Sequence, residues 1–231
     1  MHEFSYKLVS GVVEELRTSD MHVNYLKSAE SFKKMSGLTS IVQAATGESG
    51  AVHSAQAATS DGDPVTGFGM SVGGKWVSGS FWEVGFRAGD EVQLVGYQKG
   101  NDFIAVAVID VKENKIWMQP HSERGTLAKK YHLLKCCGYS FIGLCIFEIL
   151  LGFFSGFPMW FVLICSAFIN PIILFVTVGL SWKDFMDFSK EMNRVGKALG
   201  IAEPEKIDLF KSTRKSRKSG KPALPMGVYY L

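Results

Sequence analysis

The sequence predicts an α+β membrane protein. It would comprise an N-terminal antiparallel β-barrel or rolled sheet (OB-like or SH3-like), a two-helix transmembrane hairpin and a C-terminal amphipathic helix. Three observations carry this. Residues 136–182 contain Glu148 as their one acidic or basic side chain. Upstream lie short strand-like runs joined by turns rich in glycine and asparagine, and downstream apolar residues recur at spacings of three and four. The boundaries read as 1–130 for a cytoplasmic β-rich domain with an Ala/Gly/Ser-rich helical insertion at 20–60, then 131–182 for the hairpin. Residues 183–231 supply the amphipathic helix, a basic tail and a short C-terminal strand.

Phe4, Tyr6 and Leu8 alternate with polar residues, and Val12 and Val13 follow, so residues 4–16 read as a first strand bulged at Gly11. Glu3, Glu14 and Glu15 stand where a signal peptide would need a basic start and an apolar core, which argues against one. Residues 24–45 follow a helical period through Leu26, Ala29, Met35, Leu38, Ile41 and Val42. Residues 44–60 are mostly small and lack bulky apolar side chains, as in a flexible insertion; a small-residue segment lying on a membrane is the second reading. Strands are expected over 65–72, 75–82, 90–98, 102–111 and 115–119. The turns between them carry Gly73-Gly74, Gly89, Gly100-Asn101 and Asn114, residues that tolerate the positive φ of tight hairpins.

A bilayer core of roughly 30 Å takes about 20 apolar helical residues to cross, so residues 136–182 suit two crossings. Ser155, Gly156 and Pro158 mark the break, giving helices at 136–154 and 159–180. Arg124, Lys129, Lys130 and Lys135 precede the hairpin, and Lys183, Lys190, Arg194 and Lys197 follow it. Positive charge resists translocation, so both termini should be cytoplasmic, with Trp160 near the outer interface and Trp182 near the inner one. Cys136, Cys137, Cys145 and Cys165 all fall in the hairpin without metal-ligand spacing and read as packing residues. Beyond it, Phe185, Phe188, Met192, Val195 and Leu199 define an amphipathic helix that ends at Gly200 and can continue the second crossing.

No catalytic motif is present: there is no G-x-S-x-G, H-E-x-x-H, P-loop or C-x-x-C. A non-enzymatic protein without cofactor or metal is therefore expected. His121 and Arg124 stand at the junction between barrel and hairpin. His121, Ser122 and Glu123 are too close in sequence to converge as a triad, so His121 reads as a structural or switch residue. Glu148 is a candidate because an intramembrane carboxylate is costly. Three readings stay open for it: hydrogen-bonded within the hairpin, buried in an oligomer contact, or lining a water path, with Ser166 at similar depth and Asn170-Pro171 adding a kink and a polar amide that could serve any of them. Lys211, Arg214, Lys215, Arg217, Lys218 and Lys221 form a basic run without an acid. Anionic headgroups, bulk solvent and a macromolecular partner compete for it, but the absence of interleaved aromatic residues disfavours nucleic acid.

Several short motifs lie in order along the chain: Phe81-Trp82, Phe86 through Gly89-Asp90 to Val92, Pro120-His121-Ser122-Glu123-Arg124-Gly125, Ile207-Asp208-Leu209-Phe210-Lys211-Ser212 and Gly227-Val228-Tyr229-Tyr230. In this order around a hairpin, they resemble a bacterial family of type VI secretion system effectors. The resemblance implies association with a contractile secretion apparatus and action at the bacterial inner membrane. The partners it implies are that membrane, a protein of the apparatus or a cognate effector or immunity protein, and further copies of the chain. A resident immunity or adaptor protein is the alternative. The charge pattern makes one prediction: protease added outside intact spheroplasts should cut neither soluble part, and efficient cleavage there would overturn the orientation.

Overall fold

Short, largely buried runs between turns build strands over residues 63–118, and long apolar runs after residue 126 build helices. The computed structural model describes residues 5–23, 25, 62–100, 102–156 and 158–231. Its strands are β1 (Lys7–Val23), β2 (Asp63–Val72), β3 (Lys75–Phe81), β4 (Glu91–Lys99), β5 (Asp102–Asp110), β6 (Lys115–Met118) and β7 (Val228–Tyr230). Its helices are α1 (Thr126–Ser155), α2 (Met159–Ala198) and α3 (Leu209–Lys218), with a 3-10 turn at Pro204–Lys206. The expected helix at 24–45 and insertion at 44–60 lie outside the described residues, Tyr25 apart.

β1 serves two partners. Residues 7–12 pair with β4 and residues 13–23 with β2, and the register slips between Val13 and Glu15 where the strand changes partner. This corrects two expectations. The strand runs on to Val23 instead of stopping near residue 16, because main-chain pairing to β2 holds its polar second half. The bulge falls at the change of partner and not at Gly11, which pairs regularly with Val92. A side chain at Gly11 would come within 2.8 Å of Val72 Cγ1, so its glycine admits the neighbouring strand.

Gly73 and Gly74 turn β2 into β3 with φ of 56° and 72°. β3 then meets β5 in parallel, Val77 opposite Phe103 and Ser78 opposite Ile104. This contact closes a five-stranded barrel in the circular order β1–β2–β3–β5–β4. Phe68, Met70, Val77, Phe81 and Leu94 fill it, each fully buried. Phe86, from the turn before β4, inserts its ring edge-on to Phe68 and Trp117 at 5.3 and 5.4 Å. Asp90 Oδ2 accepts from the Arg87 N–H at 2.7 Å and sets that turn. β6 and β7 extend the sheet from the far half of β5.

A second core lies outside the barrel. Val95, Ile104, Val106, Ile109 and Ile116 pack against Met192 and Val195 of α2 and Leu209 of α3. α2 is one helix of 40 residues, so the amphipathic helix continues the second apolar helix as a single rod. Gly179 stands at the boundary, but it keeps helical backbone and the helix runs through it. α1 begins at Thr126, well before the apolar run. Both helices are long and apolar enough to cross a membrane. They turn at Gly156, which takes the left-handed conformation with φ 71°. Phe154, Phe175 and Leu180 are each about 80% exposed, so the hairpin's outer surface is apolar. The basic run after residue 209 is helical, started by Asp208 Oδ1 accepting from the Lys211 N–H at 3.0 Å.

Met192 is fully buried between rod and barrel. Met192→Ala should therefore cost about 2–5 kcal/mol of the barrel's unfolding free energy in detergent, measured by denaturant titration. Exposed Lys197→Ala should change it by less than about 0.5 kcal/mol.

Candidate functional site

The junction between barrel and hairpin gathers stretches far apart in sequence. His121 adopts φ 67°, uncommon for a residue with a side chain, and its neighbours hold it there. Its Nε2 lies 2.8 Å from Asp63 Oδ2 at the start of β2. Its backbone N–H donates to Glu123 Oε1 at 3.1 Å. The ring lies against Trp82 at 5.7 Å, Phe188 of α2 at 5.4 Å and Tyr25 at 6.4 Å. His121 thus ties β2, the end of β3 and α2 together. Tyr25 and Ser80 share a buried 2.7 Å hydrogen bond, and burial pushes the Tyr25 phenol well above its ordinary range. Ser122, next to His121, has a fully buried hydroxyl with no hydrogen-bond partner among the described residues.

Arg124 is the second clasp. Its Nε donates to Asp208 Oδ2 at 3.2 Å, with the two side chains only 14% and 22% exposed, and its guanidinium covers the Phe210 ring at 4.5 Å. The backbones meet as well, with the Gly125 N–H donating to Ile207 O at 2.9 Å and the Leu209 N–H to Glu123 O at 3.0 Å. A Cβ at Gly125 would strike the Pro204 carbonyl and stand 2.7 Å from Glu205 C, so this crossing needs glycine. Phe210 meets Tyr229 edge-on at 5.2 Å. Burial, and then nearby Glu123, raise the Tyr229 phenol's pKa and keep it protonated. Gly227 lets Trp82 approach: an added Cβ would stand 2.6 Å from Trp82 Cδ1. Thr126 and Asn193 join the bases of α1 and α2 through reciprocal bonds of 3.1 and 2.9 Å.

The second constellation lies inside the hairpin. Glu148 on α1 accepts from Ser166 Oγ and, at 2.9 Å, from Asn170 Nδ2, both on α2. Ser166 and Asn170 are buried, and Asn170 Oδ1 has no partner among the described residues. One turn away Gly152 lets α2 close in, since a Cβ there would reach Val162 Cγ2 at 2.6 Å. Beside Glu148 and Gly152 an open groove of about 540 Å³ is walled by Leu151, Phe154, Phe161 and Cys165. Of the three readings of Glu148, the geometry displays the hydrogen-bonded one within a single hairpin.

Lys211, Arg214, Lys215, Arg217, Lys218 and Lys221 are all exposed. Leu209 and Thr213 face inward, and Thr213 Oγ1 accepts from the Tyr230 N–H at 2.9 Å. Thus α3 lies along the sheet edge and presents its cations outward. Sequence reasoning did not find Asp63, Trp82 or Phe188 as partners of His121, nor Asp208 as the partner of Arg124. Asp208 carried a usable signal as an N-cap residue, while the others meet only through the fold. No three His, Cys, Asp or Glu side chains gather as a metal site among the described residues.

No protein-family model, curated protein or solved structure matches the chain.

Asp208 both pairs with Arg124 and caps α3. Asp208→Asn should keep the cap and lose the charge, whereas Asp208→Ala should lose both and cost about 1 kcal/mol more in thermal or denaturant unfolding. Arg124→Ala leaves the Asp208 carboxylate without its cation and should cost about 3 kcal/mol. Equal effects of the two Asp208 variants would show that the cap contributes nothing.

Proposed function

We propose that this chain is a membrane-embedded, non-enzymatic protein of the bacterial inner membrane, associated with a type VI secretion system and acting as an effector on that membrane. The single observation that carries the membrane part is the hairpin: two long apolar helices expose large aromatic and aliphatic side chains outward, and one of them runs unbroken onto a folded barrel. Soluble helices do not leave such surfaces bare. The charge flanking the hairpin supports a reading in which both termini are cytoplasmic.

The secretion-system part rests on the motif resemblance. Support comes from where those motifs fall, since Trp82, His121, Arg124, Asp208, Phe210, Gly227 and Tyr229 meet at one joint. Separate stretches sharing one structural task suit a family pattern better than chance matches do. The barrel's circular strand order is that of an OB-type barrel, which favours OB-like over SH3-like, although fold alone assigns no ligand. Self-association in the membrane would use the groove beside Glu148 and Gly152, where a second hairpin can bring apolar side chains.

A second reading is a resident immunity or adaptor protein whose barrel binds a protein partner. One observation favours it: Glu148 Oε2 accepts from both Ser166 and Asn170, so the carboxylate serves to hold the two helices of one hairpin together. Expression toxicity separates the two. As an effector, the full chain should dissipate the membrane potential of an expressing host, and Glu148→Gln at matched level should attenuate this. Stable, harmless insertion of the wild type, together with protection against a neighbouring toxin, would overturn the effector reading.

A further inference from the structure

Along α3 the cations fall on one side. Lys211, Arg214, Lys215 and Lys218 recur three and four residues apart, so they stand in one stripe. The opposite face carries Leu209 and Thr213, which turn toward the sheet. Arg217 and the exposed Phe210 border the stripe. All five cations are exposed, and among the described residues none of their side chains has an ion pair or a ring partner. Carboxylates nearby are engaged elsewhere: Asp208 with Arg124, Glu113 with Lys115, and Glu203 with Lys206, which Glu205 also attracts. Lys221 differs, since its ammonium covers the Tyr230 ring at 4.5 Å.

What can reach this stripe depends on where the helix lies. On the membrane reading given above, Trp182 marks the headgroup level. Asn193, clasped to Thr126, stands about 16 Å beyond Trp182 on the unbroken α2, at about 1.5 Å per residue. α3 starts at that depth, because Asp208 is bridged to Arg124 and Gly196 of α2 abuts Ile207. From there it runs to Tyr230, whose cross-strand partner Lys115 opens β6 at the end remote from His121. The helix thus leads away from the hairpin. Headgroup potential falls off within a Debye length, about 8 Å at physiological ionic strength, so the stripe stands outside its reach.

We propose that the stripe docks an acidic helix of a partner protein on the aqueous side, one bearing Asp or Glu at the same spacing of three and four. Ammonium groups and guanidinium forks both take carboxylates, and Arg214 can do so through two parallel bonds. Phe210 supplies an aromatic anchor at one end of the stripe. Nucleic acid fits the stripe less well. No aromatic side chains alternate with its cations for bases to stack on, and about 10 Å of helix spans few of a duplex's phosphates. The choice of a protein over the bilayer rests on the membrane reading.

The test places the full chain in phosphatidylcholine nanodiscs and titrates a fluorescent helical peptide with glutamate at every third or fourth position, read by anisotropy. The peptide should bind, and Lys211→Gln with Lys215→Gln should weaken it about fivefold. Lys7→Gln with Lys75→Gln removes the same charge from the barrel and should leave binding unchanged. Equal losses from the two double variants would overturn the proposal in favour of attraction by net charge. A DNA duplex that binds the same stripe more tightly than the peptide would overturn it in favour of nucleic acid. Adding phosphatidylglycerol to the discs should leave tryptic cleavage within α3 at the same rate, whereas protection would put the stripe on headgroups and overturn it. Flotation with phosphatidylcholine vesicles isolates the premise: a chain that fails to float overturns the membrane reading and with it the case against headgroups, whereas one that floats but binds no peptide overturns the docking stripe alone.

Discussion

Burial of Met192 and Val195 against the outer face of β4 to β6 is the contact on which the rest of the arrangement depends. These residues lie on the same helix as Ser166 and Asn170, and a helix is a rod with a fixed angular period. Once Met192 is seated on the sheet, the adjacent Asn193 is aimed at Thr126, and the higher turns of α2 are aimed at α1. The barrel, the junction and the polar cluster around Glu148 are thereby set in one frame. Removing side-chain volume at Met192 would loosen not a local contact but the angular reference of the whole hairpin.

What the sequence made legible was local or periodic. The strand pairs were readable because Gly73-Gly74 and Gly100 punctuate them, and the hairpin because Glu148 is the lone charge in a long apolar run. The continuous α2 was only half legible, since a change from an apolar run to an amphipathic one looks like a boundary although nothing breaks the backbone. The second half of β1, with Arg17, Ser19, Asp20 and His22, has only Met21 and Val23, half-buried beside Val65, to advertise a strand. Main-chain pairing to β2 holds it, and residue type reports such pairing weakly. Closure of the barrel rests on two parallel pairs between β3 and β5, long-range contacts with no local signature. In the candidate site, Glu148, Ser166 and Asn170 were found together because depth in a hairpin can be counted. The partners of His121 and Arg124 were not, because Asp63 and Asp208 reach them only through the tertiary fold.

The junction also explains why these residue types recur as motifs without any chemistry attached. Gly125 and Gly227 are where backbones or rings pass too closely for a side chain. Arg124 and Asp208 offset one another's partial burial, and Phe210 takes the guanidinium's face. Each is a requirement of joining a barrel to two helices. A motif set of this kind identifies an architecture, and the activity has to be sought on the surfaces that the architecture leaves open.

At about 1.5 Å per residue, the 40 residues of α2 make a rod some 60 Å long, which Pro171, Gly179 and Gly196 do not interrupt. Such a rod acts as a lever with its load welded to one end. In a bilayer that thins or thickens, a hairpin accommodates the mismatch by leaning. On the proposed membrane seating, the helix stays continuous from the apolar zone to the barrel, so leaning of its lower half would carry the barrel through the same angle. On that seating, the state of the lipid would set the attitude of the barrel.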